Sequence, residues 1–265
     1  MRIGVIGVGA IGRYLIQAVR SGQAGDHEVI VVAGTRPRAT VEGLPYTTEV
    51  RSLPRYQLDL VVEAASQAAV REHAVPLLEA GLDLMVMSVG ALADEAFAAR
   101  LRAVAQQMGR RVYIPSGALG GLDAVKAAAL AGLDEVELVS TKPPAALRGA
   151  PYFATHPLDW AAITGPTVVY EGPASEAVGY FPQNVNVAAV LSLAGVGPQR
   201  TRVRVVADPA ATTNQHTVRV RGGFGALEVC LSNLPSPDNP KTSWLAALAA
   251  VAMLRRLADP FQIGQ

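Results

Sequence analysis

From its first residues the chain alternates short apolar runs with stretches in which apolar positions recur every three or four residues, which predicts strands and helices in turn. Strands are expected over 2–6, 28–33, 59–64, 83–87 and 112–114, and helices over 11–20, 68–80, 95–108 and 122–131. The runs Leu60-Val61-Val62 and Leu84-Met85-Val86-Met87 are apolar without a break, as strands covered on both faces require. Such alternation implies a parallel sheet between two helical layers.

After about Leu133 the rhythm changes. Longer strands are expected over 135–141, 201–207, 216–221 and 226–232, and the alternation in Thr201-Arg-Val-Arg-Val-Val206 predicts an antiparallel sheet with one wet face. One helix, 185–193, interrupts this region, and a last helix, 243–257, is placed to pack back on the first part. The expected fold is α/β, an N-terminal Rossmann-type doubly wound parallel sheet with a second α+β domain on a mostly antiparallel sheet. The expected domains are 1–120 for the parallel sheet, 121–240 for the α+β part, and 241–265 for the closing helix. No internal repeat or low-complexity linker is visible.

Composition narrows the classes. Half of the 265 residues are apolar, enough for a sizeable core. A formal charge of +1 and 5% aromatic residues supply neither the basic surface nor the stacking platform of a nucleic-acid binder. The single cysteine, Cys230, excludes an internal disulfide and a cysteine zinc site, and within Leu227-Glu-Val-Cys-Leu231 it reads as core. The apolar start carries four glycines and Arg13 before Leu15, unlike an export signal, and the run 244–254 is about half the length of a membrane span. No metal site is expected, and a soluble protein of a reducing cytoplasm fits these features.

The strand at 2–6 leads into Gly7-Val-Gly-Ala-Ile-Gly12 and a helix start, the context that gives a G-x-G-x-x-G motif its meaning. Gly7 permits the tight turn, Gly9 lets the backbone approach a pyrophosphate, and Gly12 allows close helix packing. Ala10 and Ile11 open the helix whose N–H groups and dipole face the phosphates. This motif predicts a nicotinamide-dinucleotide oxidoreductase, with 1–120 as the dinucleotide-binding domain and 121–240 as the substrate and catalytic domain. The acidic residue that usually holds the adenosine ribose is missing from Val32-Ala-Gly-Thr-Arg-Pro-Arg38. Thr35 and Arg36, with Arg38, can instead receive a 2′-phosphate, so NADP is expected beside NAD; the competing reading is a pair of solvated loop arginines. Small residues close three further strands, at Ala64-Ala-Ser66, Ser88-Val-Gly-Ala91 and Ser116-Gly-Ala-Leu-Gly-Gly121, and Ala64 and Ser88 are taken as cofactor contacts.

Hydride transfer belongs to the cofactor, so the protein must move a proton and grip the substrate. Of four histidines, His27 and His73 fit structural roles, His156 lies in a loop before Trp160, and His216 follows a polar loop and begins a strand of the second domain. His216 is the candidate proton carrier, against the commoner structural histidine. Lys142, at a strand end before Pro143-Pro144, is a candidate for gripping a carboxylate or carrying a proton, against the exposed lysine usual there. No H-E-x-x-H, G-x-S-x-G or phosphate-loop lysine motif is present.

In these features the chain resembles the L-aspartate dehydrogenase family nearly end to end. The matching segments are Ile3 to Gly12, Val86 to Ala91, Ser116 to Asp123, Thr141 to Pro144, Asn184 to Ala189, Ala207 to Pro209, Asn214 to His216 and Asn239 to Ser243. Related reductases such as dihydrodipicolinate reductase carry adjacent histidines followed by a lysine, which this chain lacks. The resemblance implies that His216 is catalytic and that Gly120 and Asn186 contact the cofactor; Gly120 stands where the family carries alanine, so its contact would come from backbone. It further implies reversible NAD- or NADP-dependent deamination of L-aspartate to oxaloacetate and ammonia through iminosuccinate. Exposed strand edges in the second domain suggest a homodimer. The alternatives are another two-domain reductase of a small amino or oxo acid, and a sensor that binds the dinucleotide without turnover.

Overall fold

A computed structural model describes residues 1–181, 185–237 and 239–263, with the side chains of 185 and 239–242 left aside. It divides into two compact units, one of 1–117 with 246–265 and one of 118–245.

The first unit holds a seven-stranded sheet built from β1 (Arg2–Ile6), β2 (Glu28–Ala33), β3 (Thr40–Val41), β4 (Leu44–Thr47), β5 (Leu60–Glu63), β6 (Asp83–Val86) and β7 (Val112–Tyr113). Their order is β3-β4-β2-β1-β5-β6-β7. Every pairing is parallel except β3 with β4. The order reverses beside β1, so the carboxyl ends of β1, β2 and β5 flank the crevice where such sheets bind ligands. Helices α1 (Ala10–Arg20), α2 (Gln67–Glu79) and α3 (Glu95–Gln107) make the crossovers. Between β2 and β5 the chain runs through the β3-β4 hairpin and a 3₁₀ turn, Val50–Tyr56, features the apolar period did not reveal. Pro37, Pro45 and Pro54 space that stretch too closely for a regular helix.

α1 buries Gly12, Leu15, Ile16 and Val19, a helical stripe against β1 and β2. The same core takes Ala250, Val251 and Leu254 from the closing helix, and His27 Nε2 lies 2.8 Å from the Leu254 carbonyl. Among the described residues no helix is long and apolar enough to cross a membrane.

The second unit opens with α4 (Leu122–Ala128) and β8 (Leu133–Lys142), passes two single-turn helices, α5 (Pro144–Leu147) and α6 (Tyr152–Thr155), and continues with β9 (Thr167–Pro173), α7 (Ala174–Tyr180) and α8 (Val185–Ala194). β10 (Arg202–Ala207), β11 (Asn214–Gly222) and β12 (Gly225–Asn233) complete a sheet ordered β12-β11-β8-β10-β9. A short hairpin of β13 (Pro235–Ser236) and β14 (Asn239–Ser243) leads into α9 (Trp244–Ala258). The sheet is antiparallel except for β8 with β10. The expectation of a single interrupting helix is corrected: α5, α6 and α7 precede α8, and β9 was not anticipated. Rings of Tyr152, Phe153, Trp160, Tyr170, Tyr180 and Phe181 pack edge to face and tilted there, so burial in this stretch follows aromatic contacts rather than a period.

Side-chain alternation divides the sheet. Val136, Leu138, Ser140 and Lys142 of β8 share the buried face with His216, Val218 and Val220 of β11 and Val203, Val205 and Ala207 of β10. The other face carries a row of ion pairs across all five strands, Glu228–Arg219–Glu137–Arg204–Glu171–Arg202. Cys230 lies on this wet side and is exposed, which corrects its reading as core. In β12 the even positions face solvent while Leu227, Val229 and Leu231 turn inward.

Candidate active site

The glycine turn after β1 is shaped by backbone approach. Gly7 has φ +105° and donates its N–H to Ala33 O at 2.8 Å; a Cβ there would lie 2.4 Å from Ala64 O. A Cβ on Gly12 would lie 2.2 Å from Gly7 O, so α1 can start this close only with glycine. Gly9, the N-cap of α1, has open space where a Cβ would point, and neither a side-chain cap nor an acid in the first turn, which includes Ala10 and Ile11, occupies the helix end. Bare N–H groups and an unopposed dipole end are what a pyrophosphate requires, so these residues fit a dinucleotide.

At the end of β2, Thr35, Arg36 and Arg38 are exposed, and neither guanidinium has an ion-pair partner among the described residues. Tyr46 of β4 steadies this loop by donating its hydroxyl to Arg36 O at 2.7 Å. Ala64 follows β5 against Gly7, and Ser88 follows β6. Glu63, which sequence reasoning passed over, is 2% exposed between those two turns. Its Oε1 accepts from Ala65 N, Ser66 N and Ser88 Oγ, each at 2.8 Å, and its Oε2 from Ser88 N at 3.0 Å. The Ser88 hydroxyl is thus already committed as a donor.

In the second unit, His216 and Lys142 lie on adjacent strands and the same face, because His216 pairs with Ser140, two residues before Lys142. Both are buried, at 5% and 3% exposure. Lys142 is therefore not the exposed strand-end lysine of the usual case. His216 Nδ1 lies 3.0 Å from the fully buried Ser140 Oγ, while Nε2 has no hydrogen-bond partner among the described residues. Burial, and secondarily the Lys142 charge, lowers the His216 pKa to about 4. Burial alone lowers that of Lys142 to about 8. No carboxylate pairs with the Lys142 ammonium among the described residues. A buried ammonium and an imidazole without a countercharge make a receptor for an anion beside a neutral base. Ser140 was legible only as the residue two places before Lys142; that it meets His216 depends on strand register.

Gly120 belongs to a loop held by Asn233 Nδ2, which donates to Ala118 O at 3.0 Å. A Cβ at Gly120 would meet Leu231 at 3.6 Å and Val229 at 3.7 Å, ordinary contact distances, so the site accommodates an alanine methyl. Asn186 is exposed in the first turn of α8; Asn184, from the same matching segment, lies outside the described residues. His73 Nδ1, on α2, is buried with no hydrogen-bond partner among the described residues, and His156 stacks on Tyr152 at 4.1 Å. Cys230 contacts Thr217 Oγ1 and Glu228 Oε1 at 3.7 and 3.6 Å.

Residues 123–257 match the family model described as aspartate dehydrogenase, C-terminal. The L-aspartate dehydrogenase of Methanocella arvoryzae is 43% identical over 99% of both chains, and that of Methanosarcina acetivorans is 43% identical over 100% of this chain and 99% of its own. The chain belongs to the L-aspartate dehydrogenase family. Residues 7–115 match the homoserine dehydrogenase NAD-binding domain model, which fits the glycine turn of the first unit. The crystal structure of the family's member from Thermotoga maritima superposes with a TM-score of 0.81 at 31% identity, covering 100% of this chain and 99% of that one. A homoserine dehydrogenase from Thiobacillus denitrificans, at 15% identity and a TM-score of 0.63, shares the fold over 97% of this chain and 73% of its own.

Proposed function

We propose that this protein catalyses the reversible NAD(P)-dependent oxidative deamination of L-aspartate to oxaloacetate and ammonia, with His216 as the proton carrier and Lys142 as the grip on a substrate carboxylate. The observation that carries the reading is the buried His216–Lys142 pair, which has no acidic partner among the described residues, in a chain of this family.

A nicotinamide bound by this chain would supply the hydride acceptor for the aspartate Cα. Gly7, Gly9, Ala10, Ile11 and Gly12 hold the pyrophosphate, Thr35 and Arg36 accept a 2′-phosphate so that NADP serves as well as NAD, and Ala64, Ser88, Gly120 and Asn186 line the remainder. Lys142, buried and with no carboxylate partner among the described residues, binds a carboxylate more strongly than a solvated lysine does. Loss of the Cα hydride and an N–H proton yields iminosuccinate. His216 Nε2 then takes a proton from the water whose oxygen bonds to the imine carbon and passes it to nitrogen, giving an amino alcohol; the hydroxyl proton of that species moves to nitrogen in turn as the C=O bond forms and the C–N bond breaks to release ammonia. For Nε2 to act as a base the ring must carry its proton on Nδ1 and donate it to Ser140 Oγ. In the reverse direction the same group assists ammonia addition and water loss.

A homodimer formed through the second unit, whose β9 and β12 are unpaired edges, and a cytoplasmic location near the pools of both substrates complete the proposal. The test is NADH and NADPH oxidation with oxaloacetate plus ammonium, against oxaloacetate alone and a panel of other oxo acids. Ammonium-dependent oxidation with oxaloacetate is expected. Oxidation without ammonium would favour another reductase, and dinucleotide binding without oxidation would favour a sensor.

A further inference from the structure

Two helix N-termini stand at the carboxyl end of the first sheet, that of α1 after β1 and that of α2 after β5, yet a dinucleotide has one pyrophosphate. The sequence treats the two ends differently. α1 begins at Gly9 with no side-chain cap and no acid. α2 begins at Ser66, whose Oγ accepts from Ala69 N at 3.2 Å, and the N–H groups of Ala65 and Ser66 leading into it are taken by Glu63. Glu63 is the one charged residue in a fully buried strand, Leu-Val-Val-Glu, and no cation pairs with it among the described residues. A buried carboxylate survives there because four donors and the α2 dipole replace water.

The same four bonds join two turns. Ala65 and Ser66 continue from Ala64, whose carbonyl touches the Gly7 turn, and Ser88 begins the turn after β6. A Cβ at Gly7 would lie 2.4 Å from Ala64 O and 3.0 Å from Ala65 Cα, so the 64–66 turn runs directly against the glycine turn and a shift of one presses on the other.

We infer that Glu63 is a positioning residue for the dinucleotide: its carboxylate closes the α2 end to phosphate, leaving the α1 end as the receptor, and braces the glycine turn through residues 64–66. The inference rests on dinucleotide binding by the first unit and is independent of the chemistry assigned to His216. Glu63→Gln keeps the shape but turns an NH₂ group toward donors, which breaks at least one bond and leaves an N–H unsatisfied. NADPH binding, followed by nicotinamide fluorescence on the full chain, is expected to weaken about tenfold or more. The KM for dinucleotide should rise by a similar factor, while kcat at saturating dinucleotide and the KM for oxaloacetate stay within about twofold, a split that general loosening would not produce. Glu63→Asp, which retains charge but falls short by one methylene, is expected between the two and serves if the glutamine variant does not fold. Unchanged NADPH affinity in a folded variant overturns the inference. Binding by the unsubstituted chain in the same titration separates that failure from failure of the dinucleotide reading.

Discussion

His216 and Lys142 owe their chemistry first to removal from water, which disfavours the charged form of each, and His216 secondly to the Lys142 charge beside it. With its pKa near 4, the imidazole is neutral through the physiological range and available as a base. His216→Ala should lower turnover by about 10²-fold or more while leaving NADPH affinity unchanged. Ser140→Ala, which frees the ring to carry its proton on either nitrogen, should lower kcat by about threefold to tenfold with little change in KM. Normal turnover in the histidine variant would remove His216 from the mechanism. Lys142 behaves differently because it must be charged to hold a carboxylate. Its proton leaves near pH 8 rather than 10.5, so the KM for aspartate should climb about tenfold per pH unit above about 8. Lys142→Met should show a high KM that does not vary over that window, and a variant that still climbs would place the titration elsewhere.

At the scale of elements, β8 is the strand on which both faces of the second sheet depend. Its even positions lead from apolar core to Ser140 and Lys142, and its odd positions contribute Glu137 to the opposite face. Glu137 bridges Arg204 and Arg219, both at 3.4 Å, with its side chain 5% exposed, whereas Arg202 ends the row at 55% exposure. Desolvation makes the central carboxylate matter more than the end. Glu137→Ala should destabilise the fold by about 1–2 kcal/mol and Arg202→Ala by less than about 1 kcal/mol, measured by urea unfolding. Equal effects would mean that the row acts only as solvated surface. The strands β8, β10, β11 and β12 were legible because alternation repeats over six or more residues. β9, α6 and α7 were not, because their burial comes from an aromatic cluster that leaves no periodic trace.

For the whole molecule, α9 ties the two stretches of chain that form the first unit, because it returns to the core beside β1 and α1. Leu254, 1% exposed there, should cost about 2–5 kcal/mol when replaced by alanine, read as a lowered unfolding midpoint. A loss below about 1 kcal/mol would show that the helix is only loosely seated. The sequence by itself determined the doubly wound sheet, the glycine turn of Gly7 to Gly12 and the choice of His216 and Lys142 as candidates. These are local matters: period, a backbone conformation only glycine tolerates, and residue chemistry. Tertiary structure alone decided that Ser140 meets His216, that Lys142 is buried, that Cys230 faces water and that Glu63 ties two turns together. Each depends on strand register or on a neighbour distant in the chain, and a one-residue slip in register would turn His216 to the wet face.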